Sequence, residues 1–95
     1  MLHQPMQPHS SAIDPGPGAL YLQHTRSDME AIIQQNLAVL PFACGVNNHM
    51  GSLFTESQTR VSEMLDIFQQ RSFFFVDSFT SSNSVAFRTA RKRKM

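Results

Sequence analysis

With 95 residues, one cysteine and a formal net charge of +1, the chain has room for one small domain and no internal disulfide framework or CxxC metal site. Hydrophobic residues make up 41% and charged residues 16%, an ordinary globular share that gives no general reason to expect nucleic acid or an acidic membrane as partner. No apolar stretch approaches the roughly 20 residues of a membrane-spanning helix, and Met1–Ser10 lacks the apolar run of a signal peptide, so no export address is expected.

Residues 1–25 read as loop-rich and residues 26–95 as alternating helices and strands. Over Pro5–Gly18, four prolines block continuous helix, and Asp14-Pro15-Gly16-Pro17-Gly18 is a dense cluster of turn residues. A helix is expected from Ser27, because Ser27-Asp28-Met29-Glu30 fits a capping box. Met29, Ile32, Ile33, Leu37 and Leu40 then recur at helical spacing, interrupted by Asn36, until Pro41 ends the run. The apolar stretch Phe42-Ala43-Cys44-Gly45-Val46 reads as a buried strand that opens into a polar loop, Asn47 to Ser52. A second helix is expected over about Glu56–Gln70, capped by Thr55 with Gln58, and its apolar face is Val61, Met64, Leu65 and Phe68. Phe73-Phe74-Phe75-Val76 reads as a second buried strand ending at Asp77-Ser78, and Ser84 is placed to cap a last helix from Val85 towards Lys92.

Continuous apolar strands alternating with amphipathic helices predict a parallel sheet covered on both faces. In such sheets functional groups collect at strand ends. Here those ends carry Asn47, Asn48 and His49 in one case and Asp77 and Ser78 in the other. Two or three strands leave long edges unpaired, so the architecture reads as cut out of something larger.

Three segments carry a resemblance. His3-Gln4-Pro5-Met6-Gln7-Pro8, Gly45-Val46-Asn47-Asn48-His49-Met50-Gly51-Ser52, and Phe74-Phe75-Val76-Asp77-Ser78 with Thr80 resemble, in order and spacing, successive motifs of the divergent polysaccharide deacetylase family. Asn47 to Ser52 is the most specific of them, and the likeness runs from about Leu2 to about Ala90. It implies an α/β fold, namely a partial (β/α) barrel of the polysaccharide deacetylase type that is incomplete at both ends. It also implies hydrolysis of N-acetyl groups on a glycan, with a divalent metal, usually zinc, polarising the amide and activating water. Carried over by position, His3 and His49 are the expected metal ligands. Asn47, Asn48 and Ser52 would orient ligands or substrate, and Asp77 is a candidate for a supporting role.

The departures from the family pattern bear on activity. The paired aspartates that should supply a ligand and the base are absent, as is a late Gly-His-Pro-His segment, the source of an acid. Gln4 stands where an apolar residue is usual, and Ser72 where glycine is usual. The expectation is therefore a fragment of a deacetylase-like protein of carbohydrate metabolism that is inactive by itself. A non-catalytic glycan- or metal-binding module is the alternative, and a non-functional truncated product the third reading. A glycan is the implied partner and zinc the implied cofactor. The missing strands would come from another polypeptide or a longer parent, and a bacterial envelope or periplasmic setting is implied by the resemblance alone.

Simpler readings accompany the remaining residues. Asp77-Ser78 serves equally well to satisfy backbone groups at a strand end. His9 and His24 read as exposed loop residues, and Cys44 as a buried, inert thiol. Phe73 to Phe75 read as core. The basic tail Arg88, Arg91-Lys92-Arg93-Lys94 is a solvated helix terminus that complements the dipole, in preference to a phosphate-binding segment.

Overall fold

The computed structural model describes all 95 residues. Strands β1 (Leu2–Met6), β2 (Gly45–Met50) and β3 (Phe74–Val76) alternate with helices α1 (Arg26–Ala38), α2 (Gln58–Gln70) and α3 (Ala86–Lys92). The strands form one parallel sheet in the order β1-β2-β3. This is the expected α/β class. No helix is long and apolar enough to cross a membrane.

The helices all lie against one face of the sheet, and the strand pattern explains why. Side chains alternate across a strand, so Leu2, Gln4 and Met6 share a face with Val46, Asn48 and Phe75 across the register Leu2↔Val46↔Phe75. All six are buried. Leu2, Met6, Val46 and Phe75 join Met29 and Ile33 of α1, five apolar residues of α2 and Ala86 and Ala90 of α3 in a single core. His3, Pro5, Asn47, His49, Phe74 and Val76 fall on the opposite face, which no helix covers. The expectation of a sheet covered on both faces is thus corrected, since all three helices pack on the same side.

Several boundaries move. Residues 1–25 are not loop throughout, because β1 occupies Leu2–Met6 and includes Pro5. Proline lacks a donor and is confined to edge strands, and Pro5 sits in the edge strand, accepting Leu20 N–H at its carbonyl (2.9 Å). Strand β2 begins at Gly45, three residues later than expected, and runs through the polar Asn47-Asn48-His49 that reads as loop. Pairing with β1 draws those residues into the ladder, while Phe42 is left 95% exposed in the turn after α1. Cys44 lies just before the ladder and is exposed, not buried. Phe73 is partly buried and Phe75 buried, but Phe74 is on the bare face and 42% exposed.

Helix starts shift for a similar reason. A turn at Tyr21–His24, closed by His24 N–H to Tyr21 O (3.0 Å), lets α1 begin at once, with Thr25 as cap. Thr25 Oγ1 accepts Asp28 N–H and Asp28 accepts Thr25 N–H, a capping box displaced two residues from the one expected at Ser27. Hydrogen bonding to the Asp28 carboxyl, from the Thr25 backbone N–H first and the Thr25 hydroxyl second, holds it below the usual aspartate range. Ser57, not Thr55, caps α2. Thr55 is buried in a single 3-10 turn and donates to Gly51 O (2.7 Å). Val85, not Ser84, is the cap position of α3, although Ser84 Oγ still accepts Ala86 N–H (3.2 Å).

Candidate functional site

The bare sheet face gathers the histidines singled out in the sequence. Residue pairs opposite one another in the register are His3↔Asn47 and Pro5↔His49, with Asn47 opposite Val76 on β3. His3, Asn47 and His49 therefore point to the same side of adjacent strands. His3 and His49 are exposed and Asn47 is half-buried. Asn47 Nδ2 donates to Ser78 Oγ (3.1 Å), while its Oδ1 is buried and has no hydrogen-bond partner. A buried acceptor without a donor carries a desolvation cost, and this one belongs to the residue that pairs with His3 and precedes His49 by two positions.

Asn48, Ser52 and Asp77 are placed differently. Asn48 belongs to the helix-covered face, where Nδ2 donates to Met50 O (2.9 Å) and Oδ1 accepts Ser78 N–H (2.7 Å). Ser52 Oγ accepts His9 N–H (2.9 Å). Asp77 Oδ1 accepts Phe79 N–H (2.8 Å), and Oδ2 accepts Ser84 Oγ–H (2.7 Å) and Phe87 N–H (3.2 Å). The carboxylate thus organises the β3–α3 loop and supplies an acceptor at the start of α3. None of these three side chains hydrogen-bonds to His3 or His49. Their visible work is to hold the strand-end loops around β2.

The turn after β2 is built for close approach. Met50 (φ 60°) and Gly51 (φ 92°) are both left-handed, and a Cβ at Gly51 would stand 2.8 Å from Met6 Cβ. Only glycine meets both demands without strain. The tight turn sends the chain back over the end of β1, where Leu53 N–H and Phe54 N–H both donate to Gln7 O (3.1 and 3.0 Å).

A second constellation escaped the sequence reading. His9 Nε2 lies 2.9 Å from Glu56 Oε1, and Ser81 Oγ–H donates to Glu56 Oε2. Glu56 thereby ties the loops that follow β1, β2 and β3. The hydrogen bonds from Ser81 and then from His9 hold its carboxyl below the usual glutamate range. Because a carboxylate only accepts, Nε2 of His9 carries the hydrogen that this bond donates. His9 is a loop histidine as expected, but an anchored one. Its partner lies 47 residues along the chain, which no local pattern could reveal.

Metal chemistry can be tested against the donors present. No group of three His, Cys, Asp or Glu side chains is assembled anywhere in the chain. His3 and His49 make a pair of imidazoles on one face, whereas zinc sites take three or four protein ligands. A complete metal site does not fit these residues alone.

The family model of the divergent polysaccharide deacetylases matches residues 1–95. An uncharacterized protein of Haemophilus influenzae is 31% identical over 93 residues, covering 98% of this chain and 33% of that protein. The uncharacterized Escherichia coli protein YibQ is 30% identical over 91 residues, covering 96% of this chain and 28% of its own length. The chain spans about a third of the length of these relatives. An uncharacterized protein of Agrobacterium tumefaciens, known from its crystal structure, superposes with a TM-score of 0.83 at 19% identity, over 97% of this chain and 38% of that one. At that identity the likeness concerns the fold.

Proposed function

The chain belongs to the divergent polysaccharide deacetylase family, and from that premise we propose that its bare sheet face is part of the glycan-facing surface of a deacetylase-like protein. In the intact fold the three strands would be consecutive staves of a parallel (β/α) barrel, with the bare face turned inward. His3 and His49 would contribute two ligands to a divalent metal, zinc by family expectation, and further ligands would come from outside these residues. The activity of that whole would be N-deacetylation of a glycan in carbohydrate metabolism. The 95 residues alone have no evident base or acid on the bare face and are inactive. The observation that carries the reading is the placement of His3, Asn47 and His49 on one uncovered face of adjacent strands, with Asn47 Oδ1 buried and unpartnered.

Calorimetric titration of the chain with zinc tests it. The expected outcome is weak binding of one zinc per chain, abolished in His49→Ala and in His3→Ala, without turnover of an N-acetylated glycan. Zinc binding indifferent to both histidines, or none at all, would overturn the assignment. The absence of any three-donor group favours a second reading for the isolated chain, a non-catalytic module that holds glycan. Retained glycan binding by a chain that binds no zinc would select it.

A further inference from the structure

A polar concavity lies beyond the sheet, in the loop between β1 and α1. Its volume is about 410 Å³, and its lining includes His9, Ser11, Ile13, Asp14 and Tyr21. That volume is within the roughly 300–1,000 Å³ of small-molecule sites. Its walls combine a phenol ring, one carboxylate, hydroxyls and an imidazole, with no lysine or arginine among them.

These walls are fixed before any ligand arrives. Tyr21 N–H donates to His24 Nδ1 (2.9 Å), and the His24 ring meets the Tyr21 ring edge-on at 5.7 Å. Asp14 Oδ1 accepts Gly16 N–H (2.9 Å), which sets the carboxylate and leaves Oδ2 for a ligand. Gln7 Oε1 accepts Leu22 N–H (2.9 Å) and pins the return of the loop. His9 is held twice, by Ser52 through its backbone and by Glu56 through its ring. An exposed histidine needs none of this to remain soluble. The effect of the anchoring is to hold the imidazole at a defined place, with Nδ1 left for a further hydrogen bond.

We propose that this loop forms a binding subsite for a sugar ring, with Tyr21 as the stacking platform and Asp14, Ser11 and His9 as partners for its hydroxyls. The chemistry matches the class of ligand. A pyranose presents C–H groups on its faces and hydroxyls at its rim, so it needs an apolar plate and surrounding acceptors. Tyrosine supplies the plate with a polar tip. Hydroxyl donation to a carboxylate is stronger than to a neutral acceptor, which gives Asp14 the leading polar role. A chain of sugars lying across the strand-end loops would then be gripped beside the sheet face that carries His3 and His49. The subsite rests on the reading that this protein handles glycans, but it is separate from the histidine pair.

Titration of the chain with chitobiose, followed by NMR chemical-shift changes, tests the subsite. Saturable binding of one disaccharide per chain is expected, with the largest shifts in residues 9–21. Tyr21→Ala should weaken it about tenfold, and the exposed Asp14→Asn should weaken it several-fold with the circular dichroism spectrum unchanged. Should Tyr21→Ala fail to fold, Asp14→Asn and Ser11→Ala, both at exposed positions, carry the test. No saturable binding by the unmodified chain, or affinity unaltered in folded Asp14→Asn and Ser11→Ala, would overturn the proposal. Zinc titration of the same samples reads the other site independently. Chitobiose binding lost while zinc still binds condemns this subsite alone, and the converse condemns only the histidine pair.

Discussion

Gln4 is fully buried in an otherwise apolar strand face, where a polar side chain is tolerated only if its hydrogen bonds are made. They are. Nε2 donates to Gly18 O (2.8 Å), and Oε1 accepts Asn36 Nδ2 (2.9 Å), which also reaches Gly18 O (3.1 Å). Two oddities of the sequence thus explain one another: the glutamine where the family usually has an apolar residue, and the asparagine that interrupts the stripe of α1. Each was legible as an exception. Their pairing was not, because 32 residues separate them. Asn36→Leu leaves Gln4 Oε1 buried without a donor and should cost about 1–3 kcal/mol. Gln4→Leu leaves Asn36 with Gly18 O and should cost about 1 kcal/mol. Because the two side chains share partners, the double variant should lose less than the sum. Urea unfolding of the four proteins measures the cycle, and strict additivity would show that the knot is no unit.

At the scale of elements, the apolar pattern located α2 well because its face is long and its partner is the core itself. Val61, Met64, Leu65 and Phe68 are all fully buried. Strands were harder, since a short apolar run marks burial but not pairing. Nothing local in Leu2–Met6 announces a strand, with proline inside it, and β2 could be extended through Asn47-Asn48-His49 only by knowing that β1 lies alongside. Caps erred for a related reason: Thr25/Asp28 and Ser27/Glu30 both satisfy a capping pattern, and the turn before the helix decides between them. One departure proved to have backbone meaning. Ser72, where the family usually has glycine, sits just past the end of α2 at φ 58°. The left-handed conformation there is unfavourable for a residue with a Cβ. Ser72→Gly should relieve that strain, partly offset by the greater freedom of glycine in the unfolded chain, and stabilise by up to about 1 kcal/mol. A higher thermal midpoint is the expected result. A lower one would mean that the Ser72 side chain contributes more than its backbone conformation costs.

The whole molecule has a built side and a bare side. Parallel sheets are ordinarily buried on both faces, and here the helices cover only one. On the other, Phe74 and Val76 are 42% and 46% exposed, Phe74 lies over Gly45 where a Cβ would meet its ring, and β3 pairs on one side only. Contiguous exposed apolar surface beside an open strand edge favours association. The need for more structure was visible in the sequence, because alternating strands and helices demand two covering layers. The side left uncovered depended on where three helices packed, which periodicity does not encode. We expect the chain to associate as its concentration rises, with sedimentation velocity showing species heavier than the 10.7 kDa monomer. Val76→Lys places a charge on the open edge strand of the bare face, away from the core and the β1–α1 loop. It should restore the monomer without changing the unfolding midpoint. Monomeric behaviour of the unmodified chain throughout its soluble range would mean that the bare face is hydrated well enough to stand alone. Equal association in Val76→Lys would move the contact elsewhere, with the 95% exposed Phe42 at the opposite end of the strands as the next surface to change.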